Sequence, residues 1–354
     1  MKNYFRKIFS KSLLRKLIYK NEYSPIVPVN DNIKKRKILD VIGGNLNPDK
    51  VFYVIRRYPG TGIFSNLAYV INHLQIANRM GFIPVVDMQN YPTVYNEKKK
   101  IFGTHNSWEY YFEKVSNYSL EEVYKSKNII MTDNRFYRDE EFKNKITSSE
   151  ILLKILKNQI KIKKSKLKTF EYLKRKVFKD KKILGVHHRG TGYKITEYPI
   201  TINQMINIIN EILEKENYEK IFLVTEDLNN FNALVKYFGN KIVFFENSQR
   251  GKTNLDVWKN YPRNLHRYKL GRDVLYETLL LSYCQGYFDI ETNPTEFAHA
   301  MNLNPQQKRY TFDNGINKPW YFFKYLNYSW YIKKSLPEYL GGFKKNKKPK
   351  KNND

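Results

Sequence analysis

Cysteine is almost missing from this chain: Cys284 is the only one in 354 residues, so no internal disulfide can form and the fold must be held by burial. It sits in the apolar stretch LLLSYCQGYF, the setting of a small core residue. No apolar run reaches the roughly 18 residues of a membrane span, and the basic N-terminus lacks the apolar stretch and small-residue site of a secretory signal. The expectation is a soluble or peripheral protein of the cytoplasmic side, at most held at the inner face of a membrane. Gly-x-x-x-x-Gly-Lys-Ser/Thr, Gly-x-Ser-x-Gly and Cys-x-x-Cys do not occur, which argues against P-loop, nucleophile-elbow and dithiol chemistry. Asp-x-Asp is also absent, the nearest pattern being Asp289-Ile-Glu291 inside an expected strand. Without clustered carboxylates to hold a cation against a diphosphate, no metal is expected. Acidic residues are scarce, 34 against 63 lysines and arginines, and the net charge of +29 favours anionic partners: nucleotides, acidic lipid surfaces or nucleic acid.

Hydrophobic residues make up 41% and aromatics 16%, enough for two core-forming domains at this length despite a mean hydropathy of -0.65. The organising stretch is KILGVHHRGTGYKITE, residues 182 to 197. Ile183 to His188 read as a buried strand, and Gly190 and Gly192 break it into a turn where backbone and a cation can approach a ligand. A helix-like segment follows, and KIFLVTED (220 to 227) repeats the plan of a strand ending in polar residues. This is a βαβ unit, whose ligands sit beyond the carboxyl ends of the strands. Residues 51 to 88 form a second such module. There Gly60 and Gly62 relax the loop, Ser65 or Asn66 can cap the helix, and Leu67, Val70, Ile71, Leu74 and Ala77 give its apolar face.

Around these modules lie several other segments. Residues 1 to 22 pattern as a basic amphipathic helix, suited to an anionic membrane surface or to docking on the protein itself. The aromatic stretch 106 to 124 reads as loop plus helix, and residues 150 to 179 as one lysine-rich amphipathic helix or two. KIVFFEN (241 to 247) follows the central βαβ unit and leads into a polar aromatic loop through Trp258 and His266. In 271 to 302, Val274, Leu275, Thr278, Leu279 and Leu281 follow a buried helix, GYFDIE a strand, and Pro294 opens a further helix. An aromatic segment (320 to 334) is expected to pack back across both domains, and a lysine-rich tail to be solvated and disordered.

Chemistry concentrates at the strand ends. Arg189 can reach a pyrophosphate with two prongs. His187 and His188 point to opposite faces of their strand and cannot ligate one metal together. Glu197, eight residues beyond Arg189, can face the same cleft and take a proton from an acceptor hydroxyl while Arg189 steadies a departing diphosphate. Glu226 and Asp227 can accept hydrogen bonds from a base or ribose, or cap the next helix. Thr292 and Asn293 fall at a strand end and helix start, where N–H groups can meet phosphate.

GVHHRGTGYKITE resembles the His-x-Arg-x-Thr-Asp motif of the GDP-fucose-dependent fucosyltransferases, the superfamily holding rhizobial and core α1,6-fucosyltransferases and protein O-fucosyltransferases. VTED, GTGIFSNLAYVINHLQIANRMGFIPVVDM and GRDVLYETLLLSYCQGYFDIETNPTEFAHAMN resemble further segments of that group, in matching order over about residues 50 to 305. The resemblance implies a GT-B fold, two Rossmann-like α/β domains facing a cleft, with GDP-fucose in the second. It implies Arg189 as the diphosphate contact with His187 beside it, Asp227 and Glu226 at the nucleoside, Thr292, Asn293 and Thr295 at the phosphates, and Glu197 as the base. Gly60, Gly62 and Asn66 stand in the segment that resembles the group's N-terminal Gly-x-Gly helix. Two positions depart: Gly192 stands where the motif has Asp, and Gly190 where the α1,6 enzymes have a second Arg.

The expected organisation is a basic N-terminal segment (1–45), an acceptor domain (46–175), a GDP-sugar donor domain (176–310), an aromatic helix packing back (311–340) and the tail (341–354). The expected function is inverting, metal-independent transfer of fucose from GDP-fucose to a glycan or lipid-linked saccharide acceptor, with an anionic membrane surface as a further expected partner. The rivals are transfer from another nucleotide sugar and a non-enzymatic nucleic-acid binder.

Overall fold

The computed structural model describes residues 38–42, 44–57, 61–132, 146–179, 181–190, 200–258, 263–289, 292–312, 332–333, 335–340 and 350–351. The amphipathic segment 1 to 22, Gly60, Gly192 and Glu197 lie outside them, as does most of 320 to 334.

The first lobe is built on strands β1 (Ile38–Ile42), β2 (Leu46–Ile55), β3 (Ile83–Val86) and β4 (Ser126–Thr132), in the order β1-β4-β2-β3. β2 runs parallel to both β3 and β4, and only β1 is antiparallel. The continuous apolar run Phe52 to Ile55 is buried on both faces, as a central parallel strand requires. Helix α1 (Ile63–Met80) makes the crossover from β2 to β3. It buries Leu67, Val70, Ile71, Leu74 and Ala77 and ends at Gly81, whose φ of 67° is the left-handed stop glycine supplies readily. Helix α2 (Leu120–Tyr124) precedes β4. Trp108, Tyr110, Tyr111 and Phe112 are core residues rather than a surface loop.

Two helices carry the chain onward, α3 (Glu150–Gln159) and α4 (Lys164–Phe178), so the lysine-rich stretch is a pair. The second lobe then follows the alternation read from the sequence. It contains β5 (Ile183–His187), α5 (Ile202–Lys215), β6 (Lys220–Val224), α6 (Leu228–Phe238), β7 (Ile242–Val243), α7 (Asn254–Trp258), α8 (His266–Tyr283), β8 (Gly286–Asp289), α9 (Asn293–Met301), β9 (Lys308–Thr311) and β10 (Lys350–Lys351). Helix α5 shows the local logic plainly. Thr201 and Gln204 form a reciprocal capping box, and Met205, Ile208, Ile209 and Ile212 recur on one buried face. Within KIVFFEN only Ile242 and Val243 pair, parallel to β6 at the edge of the sheet. Of the lysine-rich tail, Lys350 and Lys351 are described, paired antiparallel to β9.

The second sheet has the order β10-β9-β8-β5-β6-β7, with β5 to β9 all parallel. Numbered from β5, this is the 3-2-1-4-5 strand order of a Rossmann sheet, whose direction of winding reverses between β5 and β8. The lobes pack directly on each other through α8. An added Cβ at Gly271 would stand 2.3 Å from Tyr111 Oη and 3.0 Å from Tyr95, so glycine alone permits the contact. Tyr111 Oη donates to the Tyr268 carbonyl at 2.8 Å, Glu97 accepts from the Tyr268 N–H at 2.9 Å, and Phe64 of α1 meets Phe297 of α9 at 5.1 Å. Two α/β lobes facing a cleft are the architecture expected from the sequence.

Candidate active site

The crevice at the reversal point of a Rossmann sheet is where strand carboxyl ends splay apart and leave room for a ligand. Here it holds a cavity of about 380 Å³ that both lobes line, within the usual range for small-ligand sites. The second lobe contributes His187 and Arg189 after β5, Thr225 and Glu226 after β6, Ser248 and Gln249 after β7, one face of α8, and Asn293 with Pro294 at the start of α9. The first lobe contributes Thr61 to Ser65, the N-terminus of α1, and Tyr95.

Arg189 is exposed to this cleft and makes no hydrogen bond or ion pair with any described residue. His187 lies beneath it, 6% exposed, with Nδ1 buried and without a hydrogen-bond partner among the described residues. Burial, with Arg189 and His188 adding like charge, pushes the His187 pKa down to about 3, so the ring is neutral at working pH. His188 faces away and lies 3.3 Å from Asn230 of α6.

Helix α8 carries two carboxylates that the sequence reading passed over. Asp273 is 2% exposed and is held by Arg263 and Arg272 at 2.6 and 2.7 Å. Glu277, one turn on, accepts from Ser248 Oγ and has Arg250 nearby. Burial raises its pKa to about 7 against those two favourable partners. Their signal was present: two acids four residues apart on a helix whose pattern marks it as buried. Tyr95 and Trp258, 5.8 Å apart between ring centroids, make an aromatic wall, and Tyr95 Oη accepts the Ile63 N–H at the start of α1.

The structure brings together His187, Arg189, Glu226, Asn293 and Gly62 along one cavity. Other expected contacts are engaged in the fold instead. Asp227 is the N-cap of α6, accepting from the N–H groups of Asn229 and Asn230 at 3.0 and 3.1 Å. It also presses on Gly190, where an added Cβ would stand 2.3 Å from the Asp227 Cβ. Glycine at 190 is what this close approach requires. Thr292 and Thr295 are buried and bond each other, with the Thr292 N–H donating to Thr295 Oγ1 at 2.7 Å. Asn66 closes a ring with Thr61 rather than capping α1, and Ser65 accepts from Arg57, so the α1 cap position falls to Gly62. Gly60 and Glu197 lie outside the described residues.

Fold and site together define a two-lobed α/β protein in which an arginine with no partner among the described residues and a helix N-terminus converge on the winding-reversal crevice. No protein-family model matches the chain, and no curated protein matches it. Among solved structures it is similar to the fucosyltransferase NodZ from Bradyrhizobium, at 16% identity and a TM-score of 0.48 over 75% of this chain and 96% of that one. It is also similar to POFUT1 in complex with GDP-fucose, at 9% identity, a TM-score of 0.41, and coverage of 76% and 99%. A mutant of Arabidopsis thaliana FUT1 in complex with GDP follows at 8% identity, a TM-score of 0.40, and coverage of 75% and 71%.

Proposed function

We propose that the chain is a glycosyltransferase that moves fucose from GDP-fucose to a saccharide acceptor, with inversion and without a metal. The observation that carries this reading is Arg189, at the carboxyl edge of β5, without a partner among the described residues and open to a cavity of about 380 Å³. The motif resemblance around His187 and Arg189 supports it. In this reading the acceptor hydroxyl attacks C1 of fucose from the face opposite the diphosphate. A new C1–O bond forms as the C1–O bond to phosphate breaks, and its electron pair leaves with the diphosphate. Arg189 and the N–H groups opening α1 oppose that growing charge. The acceptor's proton goes to a base, for which Glu197 is proposed.

The nucleobase pairs with Glu277. Its second carboxylate oxygen suits the N1–H and amino edge of guanine, an edge that adenine and uracil do not offer. His187, neutral and short of a partner at Nδ1, is positioned to hydrogen-bond the donor.

The experiment is a thermal-shift and turnover panel. GDP should stabilise the chain more than ADP or UDP, GDP-fucose should be consumed with an α-fucoside as product, and Glu277→Gln should erase the preference for GDP. Equal stabilisation by all three nucleotides, or transfer only from a UDP-sugar, would overturn the donor assignment. Affinity for nucleic acid that falls steeply with salt, with no nucleotide preference, would favour the binding-protein alternative.

A further inference from the structure

On the first lobe, away from the nucleotide cavity, residues 101 to 104 form a two-residue hairpin. Ile101 N–H donates to Thr104 O at 2.9 Å and Thr104 N–H to Ile101 O at 3.1 Å. Both central residues lie in the left-handed region, Phe102 at φ 51° and Gly103 at φ 81°, the pattern of a type I′ turn. Glycine fits there; a bulky aromatic residue is an outlier. Phe102 nevertheless occupies the tip and is 61% exposed. One edge of the ring meets Tyr268 at 5.8 Å between centroids, and the remainder faces solvent.

The surroundings are basic. Lys98, Lys99 and Lys100 lead into the hairpin and are exposed. Beside it, Lys166 Nζ of α4 stands 4.5 Å from the centre of the Phe102 ring, and exposed Lys161, Lys164 and Lys168 flank Lys166 in sequence. Leu167 adds a second apolar side chain, 40% exposed. No Asp or Glu occurs in residues 98–104 or 160–170.

We infer that the Phe102 hairpin and the adjoining face of α4 dock on the anionic surface of a phospholipid bilayer. An aromatic ring and a leucine enter the headgroup and acyl boundary, while lysines on flexible stems stay at phosphate depth. The charges are almost all lysine, suited to a diffuse anionic surface; single-stranded nucleic acid is better matched by arginine and paired stacking rings. The inference does not depend on the fucosyl-transfer reading.

The test is co-sedimentation of the full chain with phosphatidylserine-rich and pure phosphatidylcholine vesicles, comparing Phe102→Asn and a Lys98/Lys99/Lys100 triple glutamine variant. Asparagine tolerates the left-handed conformation, which offsets loss of the ring's contact with Tyr268, so Phe102→Asn should remain folded yet partition about tenfold more weakly. The triple variant should lose on the order of a hundredfold on the acidic vesicles. Vesicle binding unchanged in both variants would overturn the proposal, and so would equal binding to the two lipids. Loss of polyuridylate binding with vesicle binding intact would assign the face to nucleic acid instead. Loss of a dimer by light scattering with vesicle binding intact would assign it to a second copy.

Discussion

Replacing Arg189 by alanine tests the site most directly, because its guanidinium is engaged with nothing else among the described residues. Its removal strands no partner among the described residues, so the melting temperature should stay within about 1 °C of the parent. The effect on ligand follows from Coulomb's law. A unit charge about 4 Å from the guanidinium at an effective dielectric near 20 is worth about 4 kcal/mol. Arg189 is exposed. Solvent screening therefore reduces this to roughly 2–3 kcal/mol. GDP should then bind about 30- to 150-fold more weakly. Transfer should fall further, since negative charge grows on the diphosphate as the bond to C1 breaks. Lysine should recover part of the affinity, restoring the charge without the two-pronged contact. Titration calorimetry with GDP, initial rates with GDP-fucose and thermal melts read the three quantities separately. Parent-like GDP affinity in a folded Arg189→Ala protein would refute the diphosphate contact.

Stability should depend on pH through groups with opposite signs. His73 and His187 have folded pKa values near 3, so the unfolded chain binds more protons between about 3 and 6.5. Each therefore removes about 1.4 kcal/mol per pH unit as pH falls through that window. Glu277 is raised to about 7, so its contribution grows as pH falls from 7 toward 4.5 and offsets one histidine. Between pH 6.5 and 5 the ligand-free protein should lose roughly 1.4 kcal/mol per unit, lessened toward the acid end by Asp87 and Asp273, whose carboxyls burial also raises. Urea melts should be nearly flat over this range for His187→Gln and about twice as steep for Glu277→Gln; identical slopes would contradict the assignment. Gly190→Ala should destabilise by about 1–3 kcal/mol through its clash with Asp227. Asp227→Ser, which shortens the side chain and keeps a capping oxygen, should show coupling to it in a double-mutant cycle rather than simple additivity.

Some of this protein was legible in its residues because the signals are local. The apolar runs Phe52 to Ile55 and Ile183 to Val186 can only be central strands, and α1 and α5 declare themselves by apolar spacing and turn residues. The order strand, helix, strand then brings Arg189 to a carboxyl edge, whatever the details of packing. Helix α8 was legible as a buried helix, but because it is buried nearly all round, apolar spacing did not single out the side that carries Asp273 and Glu277 to the cleft. Its start at His266, earlier than the motif suggested, is set by the Glu97 and Tyr111 contacts from the other lobe.

What the sequence alone determined is the alternation of elements, the two α/β modules and the arginine at a strand end, because periodicity and chain order settle these before any distant contact forms. Only the tertiary structure decided which polar groups face the cleft. Asp227, Thr292 and Thr295 look as suitable for a ligand as Glu226 and Asn293, yet Asp227 caps α6 and the two threonines bond each other, while Glu226 and Asn293 line the cavity wall. A hydrogen-bonding side chain is spent on whichever partner the packing brings nearest, and that partner can lie two residues away or on another lobe.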